Sequence, residues 1–236
     1  MSNYLKVLSS FFIDTSLRAQ GPDLSHWDIS FDPTLAKQRI DFAIMKLTEG
    51  AMFVDPSIGE IWQGVKQVFI RGAYHYQRSS MSWKLQADLF LSYARRYDFH
   101  IYALDLESKN NIYDDTFFSD TRRIIDYWRP QALGKKIILY TNWSTYDRLY
   151  AAIVRLYSDG AQWMDALDLW YAWPSSLLKE PVLPLKCKAW RFWQWSWTGT
   201  KEDWGTGSFA DLNFFNGTQA DLARWAGITS QPPESR

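Results

Sequence analysis

The chain is poor in the residues that hold metals and cross-links. It has a single cysteine, Cys187, among 236 residues. No intrachain disulfide can form, and there is no cysteine cluster for zinc. That is compatible with folding in a reducing compartment. Its three histidines, His26, His75 and His100, are not at the spacing by which one helix grips a metal, so no metal and no cofactor is expected. Net charge is also missing: 26 basic and 26 acidic residues are spread along the chain and cancel. The basic stripe of a nucleic-acid binder is therefore absent. No apolar run approaches the roughly 18 residues of a membrane-spanning helix. Near the start, Lys6 precedes a short apolar run, Val7 to Ile13, that Asp14 interrupts. This makes a poor signal peptide, although the Ala19-Gln20 junction mimics a cleavage site. No short-period repeat is visible.

Hydrophobic residues make up 47% of the chain, enough for a sizeable core and too many for disorder. The length fits one α/β barrel or two small domains. Strand candidates are Asp41 to Leu47, Ile70 to Tyr76, His100 to Glu107 and Lys136 to Tyr140. Between them lie helical patterns at Ser57 to Phe69, Ser82 to Tyr97 and Asp115 to Trp128. In the second of these, Trp83, Leu85, Leu89, Phe90 and Tyr93 fall on or near one stripe. Alternating strands and helices imply parallel pairing with right-handed crossovers. After about residue 160 the pattern changes. Leu169 to Trp173, Trp190 to Trp195 and Phe209 to Phe214 read as strands, with irregular links between them. The expectation is five βα units followed by three strands, occupying residues 21–227. Residues 1–20 would form an arm or extra helix, and residues 228–236, with Pro232 and Pro233, a loose tail.

The stretch from His100 to Glu107 carries the most chemistry. Side chains on a strand alternate, so Ala103, Asp105 and Glu107 share one face, while Tyr102, Leu104 and Leu106 share the other. Residues two apart on a strand lie roughly 6.5–7 Å apart at Cα. Two carboxylates so placed can act on one bond, which is what glycoside hydrolysis requires. The alternative is a pair of solvated acids at a strand-to-loop junction.

In an α/β barrel the working residues sit at the C-terminal ends of the strands and in the loops beyond. Polar residues recur there strand after strand: Asp23 and Ser25, then Lys46, Thr48 and Glu49, then Tyr74, His75 and Gln77. Asp105 and Glu107, Tyr140 and Asn142, Gln194, and finally Asp211 and Asn213 continue the series. So many polar groups converging on one rim are best explained by a pocket.

Several motifs recur in a familiar order. They are Gly21-Pro22-Asp23-Leu24-Ser25-His26-Trp27, Lys46-Leu47-Thr48-Glu49-Gly50 with Asp55-Pro56, and Gly72-Ala73-Tyr74-His75-Tyr76. Leu104-Asp105-Leu106-Glu107, Tyr140-Thr141-Asn142, Trp193-Gln194-Trp195 and Asp211-Leu212-Asn213 follow. From about Gly21 to Trp225 the chain resembles glycoside hydrolase family 25, the Chalaropsis-type lysozymes, which include many phage endolysins. Each motif is short; their order and spacing together carry the signal. The resemblance implies a TIM-like (β/α)5(β)3 barrel in a single domain. It also implies N-acetylmuramidase (lysozyme) activity on bacterial peptidoglycan, at the β-1,4 bond between N-acetylmuramic acid and N-acetylglucosamine. By motif match, Glu107 would be the general acid/base, and Asp105 would position or stabilise the substrate N-acetyl group as it attacks the anomeric carbon. Asp23 and Asp211 would complete an acidic floor. Four crowded acids cannot all ionise cheaply, so one should hold a proton near neutral pH, as a general acid must. Substrate contacts are expected from Tyr74, Tyr140, Glu49, Trp27, Asn142, Trp173, Gln194 and Trp195.

Two departures adjoin this pocket: Asp28-Ile29 stand where many members carry Gln-Gly, and Leu47 replaces an alanine. Most of the 14 Trp and 13 Tyr should be packing residues, with Trp27, Trp143, Trp173 and Trp195 placed near the cleft by their strand-end positions. His75 should make a structural hydrogen bond, and Cys187 should be inert. The rival readings are a non-catalytic glycan-binding barrel and the lytic part of a phage tail or injection device, the latter with an assembly partner bound through residues 1–20. Expected locations are the host cytoplasm and then the cell wall, or the virion. A metal-dependent deacetylase lacks a visible His/Asp ligand set.

Overall fold

The computed structural model describes residues 17–28, 30–107, 111–175 and 180–228. Most of the expected N-terminal arm, up to residue 16, and the tail from residue 229 lie outside the described residues.

The strands are β1 (Gln20–Leu24), β2 (Phe42–Glu49), β3 (Phe53–Val54), β4 (Ile70–Tyr76), β5 (Ile101–Asp105), β6 (Lys136–Asn142), β7 (Asp168–Ala172), β8 (Phe192–Gly199) and β9 (Ala210–Phe215). The helices are α1 (Ile58–Val65), α2 (Trp83–Ala94), α3 (Asp115–Trp128), α4 (Trp143–Leu156), α5 (Gly160–Asp165), α6 (Lys201–Trp204) and α7 (Gln219–Ala226). Every strand except β3 joins one closed ring, in the order β1-β2-β4-β5-β6-β7-β8-β9, with β9 returning to β1. Pairing is parallel from β1 to β8, whereas β9 runs antiparallel to both of its neighbours. The short β3 folds back on the end of β2 outside the ring. This is the single TIM-like barrel expected, with its last strand reversed.

The first crossover differs from the expectation in detail. A 3-10 turn, Pro33–Leu35, stands where an α-helix would complete the first βα unit, and Asp32 caps it by accepting from the Thr34 N–H. The segment between β1 and β2 has no apolar stripe of helical period, so no helix can bury a face there. The later crossovers do have such stripes. In α3, Phe117, Phe118, Thr121, Ile124, Ile125 and Trp128 are buried, and Asp114 caps the first turn by accepting from Phe117 N at 2.8 Å. In α2 the fully buried face is Gln86, Ala87, Phe90, Leu91 and Ala94, rotated from the expected stripe: Phe90 belongs to both, Trp83 and Tyr93 are half-buried against the core, and Leu85 is exposed. The Gln86 amide explains the rotation. It accepts from Arg78 N at 2.8 Å and donates to Arg78 O at 3.0 Å, binding the helix to the loop after β4.

Two apolar layers result. Phe42, Ile44, Ile70, Ile101, Ala103, Ile138, Trp170, Phe192 and Phe215 fill the barrel. Leu24, Met45, Leu47, Tyr102, Leu104, Leu139, Tyr171 and Trp193 pack outward against the helices. Gly21 lets the ring close, since a Cβ there would lie 1.7 Å from Phe42 O on β2.

Candidate active site

The barrel filling stops short of the C-terminal rim, and there the inward positions turn polar. On β5, Ile101 and Ala103 are followed on the same face by Asp105. Pairing continues beyond β5 through Leu106 N to Tyr140 O, with Leu106 buried against the helices. Glu107 therefore returns to the inner side. Asp23, Asp105, Glu107 and Asp211 line one small pocket of ≈ 80 Å³ with Tyr74, Tyr140, Trp170 and Gln194. Asp105 and Glu107 also face a wider cleft of ≈ 400 Å³, walled by His26, Trp27, Glu49, Phe53, Tyr76 and Arg78 among others. The four acids singled out in the sequence thus meet in one place.

Asp23 and Asp211 are direct neighbours across the β1–β9 pair. A shared donor lies between them: Gln194 Nε2 donates to Asp23 Oδ2 at 2.9 Å and to Asp211 Oδ2 at 3.1 Å. Asn213 Nδ2 adds a second bond to Asp23 Oδ2, at 2.8 Å. Burial pushes Asp23 up to about 7 despite these donors, with the charges of Asp28 and Glu107 adding to the rise. Asp211, with fewer donors, is pushed up to about 8 by burial and by Asp23, Asp28 and Glu107. Asp105 is raised well above the ordinary carboxyl range, first by burial and then by Glu107, against a modest pull from Lys46. No donor among the described residues reaches Asp105 Oδ1, although it is buried. A buried acceptor without a partner is unusual in a folded protein and common where a ligand supplies the donor.

The other expected contacts divide. Tyr74 and Tyr140 line the acid pocket, and the Tyr140 hydroxyl donates to Gln194 Oε1 at 2.8 Å. Burial and the surrounding acids hold both phenols protonated. Trp27 stands at the cleft wall, 76% exposed, with His26 tilted against it at 4.6 Å; His26 is in turn held by the buried Asp55 at 2.8 Å. Glu49 lines the cleft between Lys46 Nζ at 2.5 Å and Arg78 Nε at 2.8 Å. These cations outweigh its burial and keep it ionised below the ordinary range.

Three expected contacts are absent from the lining of both cavities. Asn142 caps α4, accepting from Thr145 N at 3.0 Å. Trp195 stacks on Phe214, and Trp173 packs against Trp143 and Tyr171 in the layer under the helices. The pleat is the reason: with Gln194 and Trp170 facing inward, Trp195 and Trp173 must face outward. The same alternation turns His75 away from the pocket, to Thr48 Oγ1 at 2.7 Å, and burial lowers its pKa to about 4. Gln77 likewise reaches Phe117 O in the helix layer.

Sequence reasoning passed over Trp170, Tyr76 and Arg78 in the lining, and Trp197. Strict alternation from Gln194 would put Trp197 on the outer face. The β8–β9 register shifts between Gln194 and Ser196, and Trp197 Nε1 donates to Gln194 Oε1 at 3.0 Å. Asp28, one of the two departures from the resemblance, is buried and accepts from Ser25 N at 2.6 Å; burial pushes it up to about 6. Among the described residues no group of three or more His, Cys, Asp or Glu side chains is placed to hold a metal ion, and no helix is long and apolar enough to cross a membrane.

Comparison with known proteins decides the family. The sequence model of glycosyl hydrolases family 25 matches residues 22–204. This chain belongs to glycosyl hydrolases family 25. It is similar to the uncharacterized protein YegX of Escherichia coli K12, with 30% identity over 93% of this chain and 78% of that protein. It is also similar to lysozyme M1 of Streptomyces globisporus, with 26% identity over 92% of this chain and 74% of that protein. Among solved structures, the bacterial lysozyme from Streptomyces coelicolor superposes with a TM-score of 0.69 and 26% identity, covering 90% of this chain and 99% of that one. The family match ends before β9, so Asp211 joins the family 25 pocket by its place in the barrel.

Proposed function

We propose that this family 25 hydrolase is an N-acetylmuramidase, cleaving the β-1,4 bond between N-acetylmuramic acid and N-acetylglucosamine in bacterial peptidoglycan. The observation that carries this reading is the buried Asp105, whose Oδ1 no donor among the described residues reaches, beside Glu107 at the mouth of an acid-floored pocket. Similarity to lysozymes supports the choice of substrate.

In this reading Glu107 faces the glycosidic oxygen across the open cleft and gives it a proton as the bond breaks. Asp105 Oδ1 accepts the N–H of the substrate acetamido group. That turns the acetamido oxygen toward the anomeric carbon, where it forms the new bond on the face opposite the leaving sugar. Glu107, now ionised, takes a proton from the water that opens the cyclic intermediate, and the enzyme returns to its starting state. This is the substrate-assisted exception to the two-carboxylate scheme. Asp23 and Asp211 lie behind the pair and keep the floor acidic. Tyr74 and Tyr140 wall it with phenols that stay neutral. Trp27 offers an exposed aromatic face to a sugar ring further along the cleft.

Digestion of purified peptidoglycan by the wild type and by Glu107→Gln, with mass spectrometry of the products, tests the assignment. Fragments with N-acetylmuramic acid at the reducing end, absent with the variant, are the expected result. Reducing-end N-acetylglucosamine would make the enzyme a glucosaminidase. Binding without cleavage by the wild type would make it a glycan-binding barrel.

A further inference from the structure

Gln194 is 1% exposed, and its side-chain amide makes four hydrogen bonds. Nε2 donates to Asp23 and Asp211, while Oε1 accepts from Tyr140 and Trp197. These four partners differ in what they demand of the amide. An ionised carboxyl only accepts, but a protonated one also donates. Burial pushes Asp23 and Asp211 up into the neutral range, where each can stand protonated or ionised, so they do not dictate which end of the amide faces them. A tyrosine hydroxyl donates or accepts, so Tyr140 is equally indifferent. An indole N–H only donates. Trp197 therefore tolerates Oε1 and rejects Nε2, and it alone of the four fixes the orientation.

We infer that Trp197 is a positioning residue: its indole N–H holds the Gln194 amide with Nε2 turned toward Asp23 and Asp211, and so allows those two carboxyls to ionise inside the pocket. The inference rests on the reading of this pocket as the hydrolytic site. With the amide reversed, Oε1 would face both carboxyls, and each would need a proton to make a bond. Both would then ionise less readily. The surroundings offer little relief. Asp28 from the loop after β1, Tyr74 from β4, Asp105 and Glu107 from β5 and Tyr140 from β6 face the pair, and the acids among them repel its charge. Asn213 supports Asp23 from β9. Trp197 itself is 55% exposed, so a change there can remove the donor without opening the core.

Trp197→Phe keeps an aromatic ring and deletes the N–H, and the smaller ring leaves no cavity because the position is exposed. The test is a 13C-carboxyl NMR titration of Asp23 and Asp211 in wild type and Trp197→Phe, paired with pH–rate profiles on peptidoglycan. The expected result is an upward shift of about one pH unit in at least one of the two carboxyls, the scale of a lost hydrogen bond to an ionised acid. The acid limb of kcat should move up with it while KM stays within about twofold. Superimposable titrations overturn the inference, whether or not the wild type cleaves. A raised KM with an unmoved pH profile also overturns it and leaves Trp197 as a sugar platform alone. A wild type that releases no glycan fragments overturns the proposed function instead, and the titration still decides the part played by Trp197.

Discussion

Ile101 and Asp105 stand on the same inward face of β5, two alternations apart, and are almost equally buried. Around Ile101 lie Phe42, Ile70, Ile138 and Phe192; around Asp105 lie Asp23, Glu107 and Tyr140. The same enclosure has opposite consequences. Burying Ile101 stabilises the fold, by about 1.5–3 kcal/mol for a side chain of its class. Burying Asp105 penalises its charge, and the carboxyl responds by holding its proton. Phe192 and Gln194 on β8 repeat the contrast. The lower interior is a packed plug, and the upper interior uses the walls that the plug holds in place to shift the proton affinities of acids. Substitutions in the two halves should therefore separate stability from activity.

Glu107→Gln should have the largest effect, a rate loss on the order of 10³-fold or more from removal of the general acid. The melting temperature should stay within about 2 °C of wild type, because the change is nearly isosteric at a partly exposed position. Peptidoglycan hydrolysis and a thermal melt on the same sample decide it, and unfolding on this substitution would place Glu107 in the structural half. Phe192→Ala, in the plug, should do the reverse. It should cost about 3–5 kcal/mol in denaturant unfolding while the rate per folded molecule changes only a few-fold. Asp105→Asn should lower kcat by about 10²–10³, the scale of one lost electrostatic stabiliser. It should also make the fold more stable at pH 8 than the wild type, because the side chain no longer has to take up a proton or bury a charge on folding; equal stability there would show that Asp105 burial is not penalised.

A further effect is the pH dependence of stability. Asp28, Asp23 and Asp211 rise from an ordinary 3.8 to about 6, 7 and 8 in the folded state. Between pH 4 and 8 the native protein holds protons that the unfolded chain has released. The unfolding free energy must therefore fall as pH rises through this window, with the contribution of these groups intact below about pH 4 and lost above about pH 8. Urea titrations at pH 5 and pH 8 should show the lower midpoint at pH 8, and Asp211→Asn should flatten the difference. A midpoint that rises with pH would mean that the upper interior is better solvated than its geometry indicates.

Much of the barrel was legible from local pattern. Ile70 to Tyr76 and Asp115 to Trp128 form the strand and the helix that their periodicities predict, bound for bound. Asp105 and Glu107 were readable as a pair because a period of two needs no tertiary information. Where the reading went astray, it had followed position along the strand and not the side of the pleat. Trp173 and Trp195 lie at the correct end of their strands but pack outward, whereas Asn142, on the same face as Tyr140, is drawn off to cap a helix. Trp197 was missed for the complementary reason. The register shift in β8 breaks the alternation there, and a bulge has no signature in composition or periodicity. The buried face of α2 was misjudged because a polar Gln86 occupies it, held there by a loop that only the folded chain brings near.

The sequence by itself determined the alternation of strands and helices, the barrel class and the acids at the strand ends, because these depend on contacts between neighbours along the chain and on the twofold and 3.6-fold repeats of side-chain direction. Ring closure through the reversed β9 belongs to the tertiary structure, and so does the meeting of Asp23 with Asp211 across it. The sharing of one Gln194 amide between those two acids also belongs to it. These features join residues nearly two hundred positions apart, and the proton affinities that follow depend on burial and on charges that no stretch of sequence contains.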